Sequence, residues 1–402
     1  MRKRISFLSI IFLIIFAFAL LNIHSKSVNG INDRDIDYDS VNISPEVLYF
    51  DDVSHCYDTF FLKKFEESGC PGAAVTIVRD NGMKWLRGYG VRESGSGDSV
   101  NINTVFRLGS CSKGFAAILT GILVQEGILD WDDKVKLHLT DFSLYDSINT
   151  NDLTVRHILS HTTGLPKHTF TNLLDDNVPY HNIVNMLEEV PAISPPGEVY
   201  SYQNVVYSLI ADVLHKATGK CYNSLMVEKL FYPLEMNDAS IDFYSLIKSR
   251  NIAKPHLGSN NAYKSGKIRN KYFSTSPASG VNTSISDLSK YLMALLKKYP
   301  DVISQDILNE IYKPHIKTHI KRRYTRNWKG LGDIYYGLGW RVFNFKGNEI
   351  IYHGGYVTGY RAEIAVCPQK GIAIAVLMNS SSRLANKCIP AFFDMYFSKT
   401  MI

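Results

Sequence analysis

The chain has 402 residues, 45% of them hydrophobic and 20% charged, with 27 glycines and 14 prolines. At about 150 residues per domain that length suggests more than one lobe, and the composition excludes a disordered, collagenous or low-complexity protein. Setting aside Arg2, Lys3 and Arg4 takes the formal net charge from +6 to +3, and the one dense basic run, Lys321-Arg322-Arg323, is most simply a solvated loop, so nucleic acid is excluded as the main partner.

Met1–Arg4 is basic, and the run from Ile5 to Ile23 is apolar apart from Ser6, Ser9 and Asn22. This is the pattern of an export signal, long enough to stay as a membrane anchor. Residues 1–25 are therefore expected to be a signal peptide or an N-terminal anchor. The bulk of the chain would then be exported, to a periplasmic or other extracytoplasmic place, with residues 26–47 as a polar linker. Cys56, Cys70, Cys111, Cys221, Cys367 and Cys388 show neither a CxxC pair nor a zinc spacing. Their pairing stays open, with mostly buried free thiols as the simpler expectation.

Helical spacing begins at Tyr57–Ser68. Gly72–Arg79 and Lys84–Val91 then read as two strands joined by the turn Asp80-Asn81-Gly82. From about residue 104 to 300 the pattern is mainly helical, with amphipathic segments at Ser110–Glu126, Thr154–Ser160, Tyr202–Thr218 and Ser286–Leu296. Strand signals return at Tyr336–Phe343, Glu349–His353, Tyr360–Val366 and Ile372–Leu377, and Leu384–Phe397 reads as a closing helix. This order predicts an α/β (α+β) architecture: one sheet assembled from both chain ends, flanked by helices, plus an all-helical lobe. A cleft between the lobes is the natural place for a small-molecule site.

Ser110-Cys111-Ser112-Lys113 opens an apolar amphipathic segment, so Ser110 and Lys113 share one helical face. A serine hydroxyl attacks only when something takes its proton, and a lysine kept partly neutral by burial can do so. Alone the pattern is weak, since an N-capping serine followed by a solvated lysine looks the same. Two further elements accompany it. Tyr202-Gln203-Asn204 offers a proton-relaying phenol and an amide able to hold a substrate carbonyl. His353-Gly354-Gly355 closes a predicted strand, against which an acyl group could lie with backbone N–H groups as an oxyanion hole.

With these elements the chain resembles the serine β-lactamase and penicillin-binding protein superfamily, specifically the branch of class C β-lactamases, D-alanyl-D-alanine carboxypeptidases and related esterases. The resemblance runs from about Tyr57 to Phe397. It includes Leu153-Thr154-Val155-Arg156-His157-Ile158-Leu159-Ser160-His161-Thr162-Thr163-Gly164-Leu165-Pro166, Tyr232-Pro233-Leu234-Glu235-Met236, Ala278-Ser279-Gly280-Val281-Asn282-Thr283-Ser284 and Tyr336-Gly337-Leu338-Gly339-Trp340. It implies a β-lactamase/transpeptidase-like fold over residues 48–402, with the active site in the interlobe cleft.

By position, Ser110 resembles the acylated nucleophile, Lys113 its proton acceptor and Tyr202 the general base or proton relay. Asn204 resembles the substrate-carbonyl contact, and His353 falls where the family has lysine or histidine. The backbone N–H groups of Ser110 and Tyr356 would form the oxyanion hole. No metal or organic cofactor is implied. The implied substrate is a small molecule or a peptidoglycan peptide, and the competing function is a penicillin-binding scaffold without catalysis. Gly354 stands where many members carry threonine, and His353 would be only partly cationic at neutral pH. Weak recognition of carboxylate-bearing β-lactams follows as an expectation.

Several neighbours admit blander roles. Cys111 reads as a packed thiol, His161 and Thr163 as loop-fixing hydrogen-bonders, and Trp340 as sheet packing. Arg361, which alternates with Glu363 along one strand, reads as either a carboxylate anchor or one half of a salt bridge across the sheet.

Overall fold

The computed structural model describes residues 45–259, 262–318 and 325–399. The expected export signal, most of the expected linker and the Lys321–Arg323 run lie outside the described residues. Among the described helices none is long and apolar enough to cross a membrane.

Helix α1, Pro45–Ser68, leads into strands β1 (Gly72–Arg79) and β2 (Lys84–Gly90). In the turn between them Gly82 has φ +93° and the Gly82 N–H donates to Arg79 O at 3.0 Å, which is why the Asp-Asn-Gly signal makes a hairpin. The remaining strands are β3 (Val105–Arg107), β4 (His256–Ser259), β5 (Ala262–Ser265), β6 (Asn282–Ser284), β7 (Ile316–Lys317), β8 (Leu331–Tyr336), β9 (Arg341–Phe345), β10 (Asn348–Val357), β11 (Tyr360–Cys367) and β12 (Ile372–Met378).

Eight of them form one antiparallel sheet in the order β2-β1-β12-β11-β10-β9-β8-β7. The N-terminal hairpin thus docks on the last strand, with Ala73 opposite Met378, as expected of a sheet made from both chain ends. Strands β1 and β12 are buried almost throughout. Covered on both faces, they read as continuous apolar runs instead of alternating ones.

Four helices matter for the site: α2 (Ser112–Gln125), α3 (Val155–Leu159), α4 (Leu209–Thr218) and α5 (Ile285–Leu295). Helix α5 packs on β1 and β12, and its Tyr291 ring stacks on Phe115 of α2 at 3.8 Å. The opposite face is covered by α6 (Ala385–Lys399), where Tyr57 of α1 packs edge-on against Phe392 and donates to Cys388 O at 3.2 Å.

Two expectations are corrected. The Tyr336–Phe343 segment is not one strand, because residues 337–340 turn sharply between β8 and β9. Gly339 has φ +75°, and a Cβ on it would lie 2.6 Å from Lys113 O. The helical lobe also holds short strands, with β3 paired to β6 and β4 to β5. Cys70, Cys111, Cys367 and Cys388 are buried free thiols and Cys221 an exposed one.

Candidate active site

Ser110 lies on a tight 3-10 turn, Gly109–Cys111, that runs directly into α2. Gly109 has φ +53°, and a Cβ there would sit 2.8 Å from the carbonyl carbon of Tyr356. A Cβ on Gly355 would sit 1.9 Å from Leu108 O. These two missing side chains let β10 lie against the turn, which brings the backbone of Tyr356 beside that of Ser110. Two convergent backbone N–H groups are what an oxyanion hole requires.

Lys113 is one helical turn further on and fully buried. Its Nζ donates to Asn204 Oδ1 at 2.8 Å and to Ala278 O at 3.1 Å. It also lies 4.7 Å from the centre of the Tyr202 ring. Burial, and then the nearby Arg341 charge, hold its pKa well below the ordinary lysine value. A neutral amine has two N–H bonds and one lone pair. The two acceptors take both hydrogens, so the lone pair is left over as a base.

Tyr202 is buried. Burial pushes its phenol up, while the Arg341 charge and a hydrogen bond with the Ser110 side chain pull it down. The balance keeps the phenol protonated, which suits a proton relay better than a phenolate base. With Asn204 Oδ1 engaged by Lys113, the Asn204 amide hydrogens remain to face a carbonyl.

The positive charge at the third element is not on His353. That ring is fully buried, and its Nε2 lies 3.2 Å from both Arg341 Nη1 and Tyr336 Oη. A guanidinium can only donate, so Nε2 accepts and Nδ1 carries the proton, which it donates to Gly354 O at 2.9 Å. Burial, then the charges of Arg341 and Lys113, drive its pKa well below the ordinary histidine value. The expectation of a partly cationic His353 is therefore overturned, and the fixed cation is Arg341.

Arg341 lies 5.7 Å from the centres of both the Tyr202 and Tyr336 rings, and among the described residues it forms no ion pair with a carboxylate. Sequence reasoning missed it. An arginine in a segment read as a continuous strand looks like any solvated charge.

Gly354 also departs from expectation. It faces away from Ser110: a Cβ on it would lie 2.8 Å from Glu363 Oε2 and 2.9 Å from the Tyr352 hydroxyl. A threonine would point into that buried cluster, so the missing hydroxyl is no loss to the site. The motif also lies inside β10, not at its end. On the same face Arg361 is bound to Glu363, two residues along its own strand and not across the sheet. The Tyr352 hydroxyl donates to Glu363 Oε2 at 2.6 Å. Arg361 is accordingly no substrate anchor.

The blander roles mostly hold. The Cys111 thiol is buried, lies 3.3 Å from His353 O, and is pushed well above its usual pKa by burial, so it is protonated and inert. Trp340 is fully buried against Gly114, where a Cβ would fall 2.3 Å from the indole. His161 does fix its loop, accepting from Gln203 N–H at Nδ1 over 3.2 Å. The Thr163 hydroxyl, expected to do likewise, is buried without a partner among the described residues.

The Beta-lactamase family model matches residues 58–392, so the chain belongs to that family. Its fold is the β-lactamase/transpeptidase-like fold. It is 29% identical over 322 residues to "Unguisins hydrolase ungD'" of Aspergillus campestris, covering 77% of this chain and 59% of that relative. The chain thus spans about three fifths of the length of the curated relatives it matches (59% and 60% of the first two). Among solved structures it resembles the octameric penicillin-binding protein homologue from Pyrococcus abyssi, with TM-score 0.72 and 23% identity, over 86% of this chain and 77% of that one. D-amino acid amidase from Ochrobactrum anthropi SV3 aligns with TM-score 0.71 and 18% identity, over 87% of this chain and 99% of that one.

Proposed function

We propose that this chain cleaves amide or ester bonds through an acyl-enzyme on Ser110, acting on D-amino-acid amides or peptides of the D-Ala type. The observation that carries the mechanism is the bonding of Lys113, a buried amine whose two acceptors leave one lone pair. Ser110 Oγ attacks the substrate carbonyl while its proton passes to Lys113 Nζ. The tetrahedral oxyanion is held by the N–H groups of Ser110 and Tyr356, and the Asn204 amide orients the neighbouring substrate carbonyl.

The leaving amine or alcohol takes the proton through the Tyr202 hydroxyl as the C–N or C–O bond breaks. Water then attacks the acyl-enzyme by the same route in reverse, releasing the acid and restoring Ser110. The Arg341 guanidinium, which forms no ion pair with a carboxylate among the described residues, is the group a substrate carboxylate would meet. The D-stereochemistry rests on likeness to the D-amino acid amidase. An extracytoplasmic setting rests on the basic Met1–Arg4 and apolar Ile5–Ile23 segments.

The test is labelling with a fluorescent penicillin and a fluorophosphonate, followed by digestion and mass spectrometry, beside hydrolysis of paired D- and L-alanyl amides. The adduct is expected on the peptide holding Ser110–Lys113, with Ser110→Ala unlabelled and the D-amide preferred. An adduct on Cys111, or full activity in Ser110→Ala, would sink the mechanism. Equal rates on both enantiomers would sink the substrate class. A protein that takes neither label is the non-catalytic scaffold.

A further inference from the structure

His161 stands at the centre of the tyrosines around the site. Its ring centre is 4.3 Å from that of Tyr202, 5.0 Å from Tyr207, 5.0 Å from Tyr336 and 6.1 Å from Tyr200. Each of the first three rings touches the machinery: the Tyr207 hydroxyl donates to Lys113 O at 2.7 Å, and the Tyr336 hydroxyl bonds His353. The residue is fully buried and holds φ +59°, a left-handed backbone that histidine, like asparagine and aspartate, adopts more readily than most side chains.

Its polar atoms grip the chain on both sides of Tyr202. The carbonyl of His161 accepts from Ser201 N–H at 2.8 Å, and Nδ1 accepts from Gln203 N–H at 3.2 Å. Because a backbone N–H can only donate, Nδ1 must be unprotonated, so the neutral ring carries its proton on Nε2. That Nε2–H is buried without a partner among the described residues. A buried donor left unmatched costs free energy, a cost borne while Nδ1 and the carbonyl hold the chain around Tyr202.

We infer that His161 is a positioning residue that sets the Tyr202 phenol against Ser110 and Lys113. It does so by holding residues 201 and 203 through its carbonyl and Nδ1 while its ring packs at a tilt against the Tyr202 ring. Neither Nδ1 nor the carbonyl touches substrate in this role. The inference rests on the proposed relay role of Tyr202.

The experiment compares His161→Ala, His161→Asn and His161→Gln on p-nitrophenyl acetate, with Tyr202→Phe alongside. Asparagine tolerates the left-handed backbone, and its Oδ1 stands where Nδ1 stood, whereas the glutamine oxygen reaches the Nε2 place. His161→Ala and His161→Gln are expected to lose about 10²-fold in kcat, the usual effect of a 1 Å misplacement, with KM little changed. His161→Asn should recover most of the loss.

Wild-type kcat in His161→Ala, or glutamine rescuing as well as asparagine, overturns the inference. If the variants do not fold, nitrogen NMR of histidine-labelled wild-type protein decides: Nδ1 should be unprotonated, and a proton there overturns it. Full activity in Tyr202→Phe brings down the relay reading and this inference together. An inactive Tyr202→Phe beside a fully active His161→Ala brings down this inference alone.

Discussion

Lys113 Nζ and Asn204 Oδ1 meet at 2.8 Å, which ties the start of α2 to the loop that carries Tyr202. One hydrogen bond thus joins the base, the carbonyl contact and the relay, so these residues are expected to fail as a group. In the proposed mechanism Asn204 has two duties, orienting the Lys113 amine and meeting the substrate.

Lys113→Ala and Tyr202→Phe are each expected to lower kcat by more than about 10²-fold, the lower bound for losing a general base. Both serve one proton path, so the double variant should be little worse than the poorer single one. Steady-state kinetics on one ester substrate gives the comparison. Clean additivity of the two losses would mean separate paths.

Arg341 yields a prediction in pH. Lys113 acts as the neutral amine, so kcat/KM should rise with pH through the Lys113 pKa. Burial and the Arg341 charge depress that pKa, which places the acidic limb below the pH of ordinary lysine titration. Arg341→Gln removes one depressing charge, so the limb should move to higher pH. The same variant should lose about 10- to 150-fold in kcat/KM on substrates bearing a carboxylate, the value of one hydrogen bond to a charged group, and much less on neutral esters at the plateau. A limb that stays put, or an equal loss on both substrate classes, contradicts this account of Arg341.

Gly354→Thr tests which face of β10 matters. Its side chain would enter the Glu363–Tyr352 cluster, so it is expected to destabilise the protein by about 1–3 kcal/mol, as overpacking does, without improving carboxylate-bearing substrates. Gly355→Ala should act differently. It pushes β10 away from Leu108 O and should cost activity even where the protein stays folded. Thermal melts with parallel kinetics separate the two. A Gly354→Thr protein with a raised melting temperature and better cephalosporin turnover would contradict the placement.

Much of this was legible because local signals agreed with the fold. Gly72–Arg79 is a β-branched, apolar run that ends up covered on both faces, and Ser110 and Lys113 share a face by helical period alone. What escaped depends on partners distant in sequence. The helix expected to start at Tyr202 begins at Val206 as a 3-10 turn, because the backbone at 201–203 is bonded to His161 and His168 and not to its own next turn. Arg341 carries no local sign that His353 lies behind it. The side to which Gly354 points depends on the register of β10 against β11, where it faces Glu363. Residue spacing within one strand does not contain that register.

The pairing of β1 with β12 also bears on synthesis. During translation β1 leaves the ribosome long before its partner, Ile372–Met378, has been made. Until then β1 has only β2 beside it, and an isolated hairpin is marginally stable in water. The apolar edge of β1 must wait uncovered, a template for mispairing with other chains. A nascent chain released before residue 372 would lack the strand that joins the two halves of the sheet, and it should aggregate instead of folding into a smaller working enzyme.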